Sequence, residues 1–448
     1  MAERTLNAVN GGKRRTAAGN IKMTEKKGKT SSGNIKAASG DKRNKYRNVR
    51  SAVNGEAAVD TPVRNAAARA KDKLKKTVWV RSGFDYPLFT IVLILLAFGL
   101  IMMFSASYAV AYAEEGDSLF YLKKQALFAV IGLIAMFAAA NIDYHIFAKK
   151  FTVIALSGVS LALMAAVKII GTTGNGAERW LRIGEITFQP SEILKFAVIV
   201  VFAYMIETKY KHLSDFKKGY IPFMTVLGVS CATLMVQPHL SATIIVFAIG
   251  FSMMFVGGLN NKHLMITIII GIPLVILGVM ALKAIGYDYF DARFLSFMDP
   301  EAEIQGDTFQ TYQSLVTIGS GGLFGLGFGN SRQKYSYLPE SQNDFIFPII
   351  CEELGFVGAA LVILLFVIMI WRGFYICTKA RDKFGMMLAF GITFQMGLQA
   401  LLNIAVVTNA VPNTGIALPF FSYGGTALVM QLGEMGILLN VSRKAALK

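Results

Sequence analysis

Three acidic side chains mark the start of an apolar run in the segment YLPESQNDFIFPIICEELGFVG, residues 337–358. Asp344 precedes the run, and Glu352 and Glu353 fall inside it. An ionised carboxylate deep in a membrane helix costs about 2.5–3.5 kcal/mol, so such groups face a bundle interior or a wet cavity. On a helix, Asp344, Pro348 and Glu352 share one face, since they are spaced i, i+4 and i+8. We therefore expect this segment to form one wall of a polar site in a membrane protein.

Basic side chains that suit a phosphate lie in a second polar segment. Arg179 and Arg182 flank Trp180, and an arginine beside an aromatic ring can bind a phosphate and the face of a sugar. Lys195 lies one turn inside the next apolar run, three residues after Glu192, so the two can form an ion pair. Taken alone, the segment is explained equally well as an interfacial tryptophan with anchoring arginines.

Two interruptions of apolar runs offer further polar groups. His239 lies in the turn Gln237-Pro238-His239-Leu240-Ser241. Two roles are open for it: a proton carrier or ligand, or a hydrogen-bonding structural group. Ser422 opens the run Ser422-Tyr423-Gly424-Gly425 at the start of the last apolar stretch. A helix broken there presents backbone groups to a ligand, and the alternative is a packing face of small residues.

A glycine-dense stretch, IGSGGLFGLGFGNS at residues 318–331, lies in the longest loop, which also contains Arg293. It is not a GxGxxG turn between a strand and a helix, so a nucleotide cradle is not expected. Its glycines instead favour tight turns, close backbone approach, or a re-entrant segment shielded by protein.

Composition places the chain among all-α integral membrane proteins. Hydrophobic residues make up 54% of the 448 and charged residues 16%, and several apolar runs approach the roughly 20 residues that span a bilayer. Cys231, Cys351 and Cys377 lie inside apolar runs, which gives neither a disulfide framework nor a CxxC metal pattern. No cleavable signal peptide is expected, because the first apolar run begins at about Tyr86.

The predicted domains differ sharply in charge. Residues 1–81 carry a net charge of +15 (21 Lys and Arg against 6 Asp and Glu) of the chain's +17. Too few apolar residues are present there to offset chain entropy, so we predict a disordered cytoplasmic head. It either lies on anionic lipid or acts only as a topology anchor, and a nucleic-acid partner is not expected. Residues 82–443 form the predicted polytopic domain, and 444–448 a short cytoplasmic tail.

Apolar runs predict ten spans, near residues 86–108, 124–140, 151–170, 190–208, 219–236, 241–257, 264–283, 345–371, 384–406 and 421–441. Most basic residues between spans fall on the side of the head, so the positive-inside rule places both termini in the cytoplasm. Lys123 and Lys124 are the exception, since they lie at an outer loop.

The outer face then carries loops near 171–189, 284–344 and 407–420, and the second, between spans seven and eight, is the longest. Asp344 comes out at the outer membrane surface. Chemistry at Asp344 must therefore use a substrate presented outside the cytoplasm or in the outer leaflet.

Together these segments resemble the SEDS family, the polytopic proteins of bacterial shape, elongation, division and sporulation (FtsW, RodA and SpoVE), and the FtsW and SpoVE types look closer. The likeness covers about residues 84–443. The matching blocks are FSAS at 104–107, the Arg179-Trp180 loop, Gln189 to Lys195, the glycine-rich loop, LPESQNDFIF with Glu352-Glu353-Leu354-Gly355, and LPFFSYGG.

The resemblance implies a peptidoglycan glycosyltransferase of the bacterial plasma membrane that polymerises lipid II, with Asp344 matching the family's essential outer-face aspartate. A carboxylate at the hydrocarbon boundary can take the proton of a sugar hydroxyl, its pKa raised by partial desolvation. Arg179, Arg182, Lys195 and Arg293 are the candidates to neutralise the lipid pyrophosphate. A divalent cation is possible, without a ligand set in the sequence. The implied partners are a single-span class B penicillin-binding protein and other divisome proteins.

Two departures limit what the resemblance transfers. The family often has QPDLG where this chain has Gln237-Pro238-His239-Leu240-Ser241, so a carboxylate role cannot be carried over there. Some division-type relatives have Lys before the glycine of the last loop, where this chain has Thr414, which weakens a pyrophosphate role at that position.

Two other functions stay open at this point. A lipid II flippase needs polar groups within its spans to carry the headgroup across the membrane. Such groups are Glu352, Glu353 and Lys195, although no inverted repeat is apparent. A non-catalytic scaffold that recruits a transpeptidase is the third hypothesis. We expect Glu353 to be structural and leave Glu352 open between ligand binding and structure, since only Glu352 shares the face of Asp344.

Overall fold

A computed structural model describes residues 83–445, apart from 175–176, 184–185, 285–288, 304–305, 307 and 336. The predicted disordered head, residues 1–81, and the tail from 446 onward lie outside the described residues. Their predicted cytoplasmic location and lipid contact therefore stay predictions.

Ten helices of 15 or more residues occur in the described part of the chain, one on each predicted span. They are α1 (Tyr86–Glu115), α2 (Phe120–Asn141), α3 (Lys150–Ile170), α4 (Pro190–Thr208), α5 (Ile221–Met235), α6 (Leu240–Gly257), α7 (Asn261–Ala284), α10 (Ile346–Lys379), α11 (Lys383–Val407) and α12 (Gly425–Lys444). Two shorter helices, α8 (Tyr289–Met298) and α9 (Phe309–Ser320), lie in the long loop between α7 and α10.

Eight of these ten helices are long and apolar enough to cross a membrane, α5 together with the helical turn Phe216–Tyr220 that precedes it. The two that are not are α4 and α12. Charged and polar residues interrupt both: Glu192 and Lys195 in α4, Gln431 and Glu434 in α12. In α4, 15 of the 19 residues are buried, and in α12, 12 of the 20. Neighbouring helices therefore shield this polarity from lipid, as intramembrane ionisable groups require.

The predicted helix around Asp344 differs from the structure at both ends. Because α10 begins at Ile346, Asp344 precedes the helix, and the expected helical face shared with Glu352 is not present. The helix continues to Lys379, with a break at Gly355, whose φ of 67° and ψ of −167° are not helical.

The glycine-rich loop is the reason for that break. Leu326 N donates to Glu352 O at 2.9 Å, so the loop takes over backbone groups freed by the interrupted helix. The backbones approach closely: a Cβ on Gly325 would lie 2.2 Å from Glu353 O, and one on Gly355 2.3 Å from Gly325 N. Both glycines also have positive φ, so other side chains are strongly disfavoured there.

A small antiparallel sheet, which the all-α prediction did not include, occupies the loop before α4. Its strands β1 (Thr172–Gly174), β2 (Ala177–Ile183) and β3 (Ile186–Phe188) lie in sequence order. Along β2 the side chains alternate, so Leu181 is buried while the next residue, Arg182, is exposed. The sheet thus fixes the direction of the basic segment predicted to bind phosphate.

The starts and ends of three helices define the two ends of the bundle. Asp85, which caps α1, forms an ion pair with Arg372 near the end of α10 (2.8 Å) and its N–H donates to Ser442 near the end of α12 (3.0 Å). The starts of α10 and α12 therefore lie at the opposite end, together with Asp344. This separation of Asp344 from the basic helix ends agrees with the predicted orientation.

Candidate active site

A cavity of about 620 Å³ opens at the bundle end where α10 and α12 begin. The cavity wall is formed by α2, the small sheet, the start of α4, the turn between α5 and α6, and the segments before α10 and α12. Among the lining residues are Lys124, Phe128, Arg179, Trp180, Arg182, Glu192, Lys195, His239, Glu340, Asn343, Asp344, Gln399, Gly415, Tyr423, Gly424, Gly425 and Gln431.

Five of the eight side chains selected from the sequence line this cavity: Asp344, Arg179, Trp180, Arg182 and Lys195. The other three, Arg293, Glu352 and Ser422, do not line it. Residues more than 150 positions apart in the chain thus meet in one site.

Asp344 is a half-buried carboxylate held by its main chain. Asn403 Nδ2 donates to Asp344 O (2.7 Å) and to Ile416 O (2.6 Å), which joins the segment before α10 to the segment before α12. The pKa of Asp344 is raised to about 6, mainly by burial and also by the charge of Glu340, while Arg293 and Arg179 oppose the shift. A carboxylate with this pKa is mostly ionised at neutral pH and still basic enough to accept a proton.

The cations of the cavity are held in different ways. Arg179 Nη2 donates to Pro238 O at 2.7 Å, which ties the sheet to the turn between α5 and α6. Lys195 pairs with Glu192 at 2.8 Å, and both side chains are more than 90% buried. The predicted pairing of these two residues is confirmed, and it explains how a lysine is tolerated within α4.

His239 is a neutral imidazole in this cavity. Its Nε2 lies 3.0 Å from Gln189 Nε2. The pKa of His239 is lowered to about 3, mainly by burial and also by the nearby charges of Arg179 and Lys195. Of the two roles left open for His239, the hydrogen-bonding group agrees with this environment, because an imidazole with so low a pKa stays neutral at neutral pH and does not take up a second ring proton.

Arg293 and Ser422 do not line the cavity, but each acts on a residue that does. Arg293 Nη1 lies 3.5 Å from Gln310 Oε1, and its charge lowers the pKa of Asp344. Ser422 Oγ accepts from Leu418 N at 2.7 Å, so it shapes the turn that brings Tyr423 to the cavity wall.

Glu352 and Glu353 bind the end of the glycine-rich loop and the residues that follow it. Glu352 accepts from Ser331 Oγ and from Arg332 N, the latter at 3.2 Å. Glu353 forms an ion pair with Lys334 at 2.9 Å, with both side chains 0% exposed. The sequence did not single out Lys334, because nothing in its polar surroundings marks it as buried.

Lys124 also lines the cavity, although from the sequence it was identified only as an exception to the positive-inside rule. Its side chain is half-buried, and its Nζ lies 4.2 Å from the ring centre of Phe120. The position of Lys124 at an outer helix end was the one available signal, since a basic residue there opposes the charge pattern of the rest of the chain.

No group of three or more His, Cys, Asp or Glu side chains suited to a metal occurs among the residues that the structure describes. A ligand set for the possible divalent cation is therefore not identified, and no step below depends on one.

Comparison with known proteins adds a family context to this geometry. The family model described as FtsW, RodA and SpoVE cell cycle protein matches residues 86–447. A probable peptidoglycan glycosyltransferase FtsW from Geobacter sp. (strain M18) is 38% identical over 362 residues, which are 81% of this chain and 97% of the relative. Stage V sporulation protein E from Bacillus subtilis (strain 168) is 39% identical over 359 residues, 80% of this chain and 97% of the relative.

Solved structures share the fold. A chain from a peptidoglycan synthase complex matches with a TM-score of 0.67 and 24% identity, over 82% of this chain and 100% of that one. Rod shape determining protein RodA from Thermus thermophilus matches with a TM-score of 0.57 and 24% identity, over 83% of this chain and 99% of that one.

Proposed function

The chain belongs to the FtsW, RodA and SpoVE family of multi-pass membrane proteins, and from that premise we propose that it is a peptidoglycan glycosyltransferase. Its substrate is lipid II, which it polymerises into glycan strands at the outer membrane face during division or sporulation. The observation that carries the assignment of the site is Asp344, a carboxylate with a pKa of about 6 in a cavity lined by Arg179, Trp180 and Arg182.

In the proposed reaction a sugar hydroxyl of the acceptor attacks the anomeric carbon of the donor. A new C–O glycosidic bond forms, and the C–O bond to the lipid diphosphate breaks with its electron pair leaving on the diphosphate. Asp344 accepts the hydroxyl proton as general base. The cationic side chains of Arg179, Arg182 and Lys195 stabilise the negative charge of the departing diphosphate.

Purified protein given labelled lipid II tests this function, with and without a single-span class B penicillin-binding protein. We expect glycan polymer, with the partner included if it is required for activity. Absence of polymer under both conditions, with folded protein, would contradict the enzymatic proposal. The role of this partner, of other divisome proteins and of the basic head toward lipid belongs to the same proposal.

A lipid II flippase is the second candidate, because polar side chains continue into the bundle. Gln395 Nε2 donates to Glu434 Oε2 at 2.9 Å, and both side chains are buried within α11 and α12. A liposome assay that scores headgroup translocation separately from chain growth distinguishes the two activities. Translocation without any polymer, surviving the loss of Asp344, would favour transport.

The rate of polymerisation should depend on pH through the ionisation of Asp344. Only the ionised carboxylate accepts a proton, so the rate should rise with pH through about 6 and level off above it. Glu340→Gln removes a charge that raises this pKa, so the midpoint should move to lower pH. Initial rates from pH 5 to 8 measure both, and a flat profile in the parent protein would contradict the assignment.

Gly415→Ala should lower the polymerisation rate by up to about 100-fold, because it displaces the base. An added Cβ would lie 2.9 Å from Asp344 Oδ2, and Gly415 has a φ of +66°, which other residues rarely adopt. Gly433→Ala in α12 is the matched control, since apart from the backbone of its own helix no atom lies within 4 Å of its added Cβ. Equal rates for both variants, measured on folded protein, would show that Gly415 does not position Asp344.

A further inference from the structure

Lys123 and Lys124 both oppose the predicted charge distribution, and the structure separates them. Lys123 is explained locally, because its Nζ pairs with Asp117 Oδ2 at 2.7 Å on the exposed surface. Lys124 is half-buried and lines the cavity that contains Asp344. Lys124 lies at an outer helix end, contrary to the positive-inside rule, and it also lines the cavity. Binding of an anionic ligand would explain both facts.

The contacts of Lys124 leave its ammonium able to bind an anion. The interaction found for it among the described residues is with the ring of Phe120, 4.2 Å from the ring centre. A contact with an aromatic face stabilises the charge without occupying the three N–H groups in conventional hydrogen bonds. Those donors are suited to phosphate oxygens.

The wall that carries Lys124 is built rigidly. The next residue, Gln125, is buried, and its Nε2 donates to Ser422 O at 3.1 Å while its Oε1 accepts from Gly424 N at 3.2 Å. These two bonds fix the start of α2 to the turn before α12, whose residues Tyr423 to Gly425 also line the cavity. Lys124 is therefore positioned before any ligand arrives, which lowers the entropic cost of binding.

We infer that Lys124 binds the diphosphate of a lipid-linked sugar from this wall, in addition to the arginines on the small sheet. The inference rests on the proposed function, which brings two lipid diphosphates to the cavity: the donor loses one, and the acceptor keeps the other. Arg179 and Arg182 lie on β2 and Lys124 lies on α2, so separate elements supply the cations that two such groups need.

Binding of undecaprenyl diphosphate to the purified full-length protein tests this inference without requiring turnover. Lys124→Met should weaken binding about tenfold or more, the loss expected for one charge-assisted hydrogen bond in a partly buried site. Lys124→Arg should retain most of the affinity. Lys123→Met is the matched control, because it removes the same charge one residue away and should bind like the parent.

Three outcomes would overturn the inference. These are equal binding by Lys124→Met and parent, equal weakening by Lys123→Met, or a Lys124→Met effect confined to peptide-bearing lipid II, which would place the recognised anion in the stem peptide. Lys124-dependent binding of undecaprenyl diphosphate without any polymer from lipid II would instead uphold this site and contradict the proposed glycosyltransferase. The two proposals can therefore fail separately.

Discussion

Asp344→Asn is expected to lower the rate of glycan polymerisation by about 100- to 10,000-fold, the range that general-base catalysis contributes. The amide has almost the same shape as the carboxylate but cannot accept the hydroxyl proton. Asn403 bonds to the main-chain oxygen of Asp344, so this anchor persists in the variant. The measurement is the initial rate of polymer formation from labelled lipid II, together with undecaprenyl diphosphate binding, which should change little.

The matched control for Asp344→Asn is Asp299→Asn, in the same long loop. Asp299 is exposed and accepts from Glu301 N at 3.1 Å, a bond that an Asn side chain can keep. We expect this variant to polymerise at the parent rate. Equal rates for Asp344→Asn and the parent would remove Asp344 as the base, and normal growth of a depletion strain carrying Asp344→Ala would favour the scaffold hypothesis.

The ten long helices could be predicted from the sequence because the bilayer leaves the chain few alternatives. Backbone groups must pair within each spanning segment, so apolar runs of about 20 residues become helices whatever their neighbours are. The helices α4 and α12 contain charged and polar residues, yet both were predicted because the rest of their sequence is apolar. The grouping of Asp344 with Arg179, Trp180, Arg182 and Lys195 was also predicted, since residue type and loop position suffice to place them at one membrane face.

What could not be predicted depends on contacts between distant segments. The break at Gly355 is stabilised by the glycine-rich loop, so a prediction from local sequence extends the helix through it. Asp344 precedes α10 and its main chain is bound by Asn403, so the predicted helical face shared with Glu352 is absent. Glu352 instead accepts from Ser331, a partner 21 residues away, which spacing along one helix cannot reveal. For the same reason Lys124 was seen only as an exception to the charge pattern, and its place in the cavity became visible with the fold.

Glu353→Ala is expected to destabilise the protein by about 3–5 kcal/mol, the cost of leaving a buried charge without its partner. Lys334 Nζ lies 2.9 Å from Glu353 Oε1, and Ser105 Oγ donates to both carboxylate oxygens, at 2.8 and 2.7 Å. Removing the carboxylate therefore leaves a lysine that is 0% exposed without its ion-pair partner, and it removes the bond that Glu353 Oε1 accepts from Ser331 N of the glycine-rich loop (3.3 Å). Thermal unfolding of the detergent-solubilised protein, followed by loss of the monodisperse peak, measures the effect.

The double variant Lys334→Met, Glu353→Met distinguishes an ion-pair effect from a general packing effect. If the loss on removing Glu353 comes from the stranded ammonium, the double variant should be more stable than either single variant, Lys334→Met or Glu353→Met, because no charge remains buried. Lys123→Met breaks an exposed pair and should leave the unfolding temperature unchanged. A double variant as unstable as the sum of the single variants would show that packing, and not the buried charge pair, holds the loop against α10.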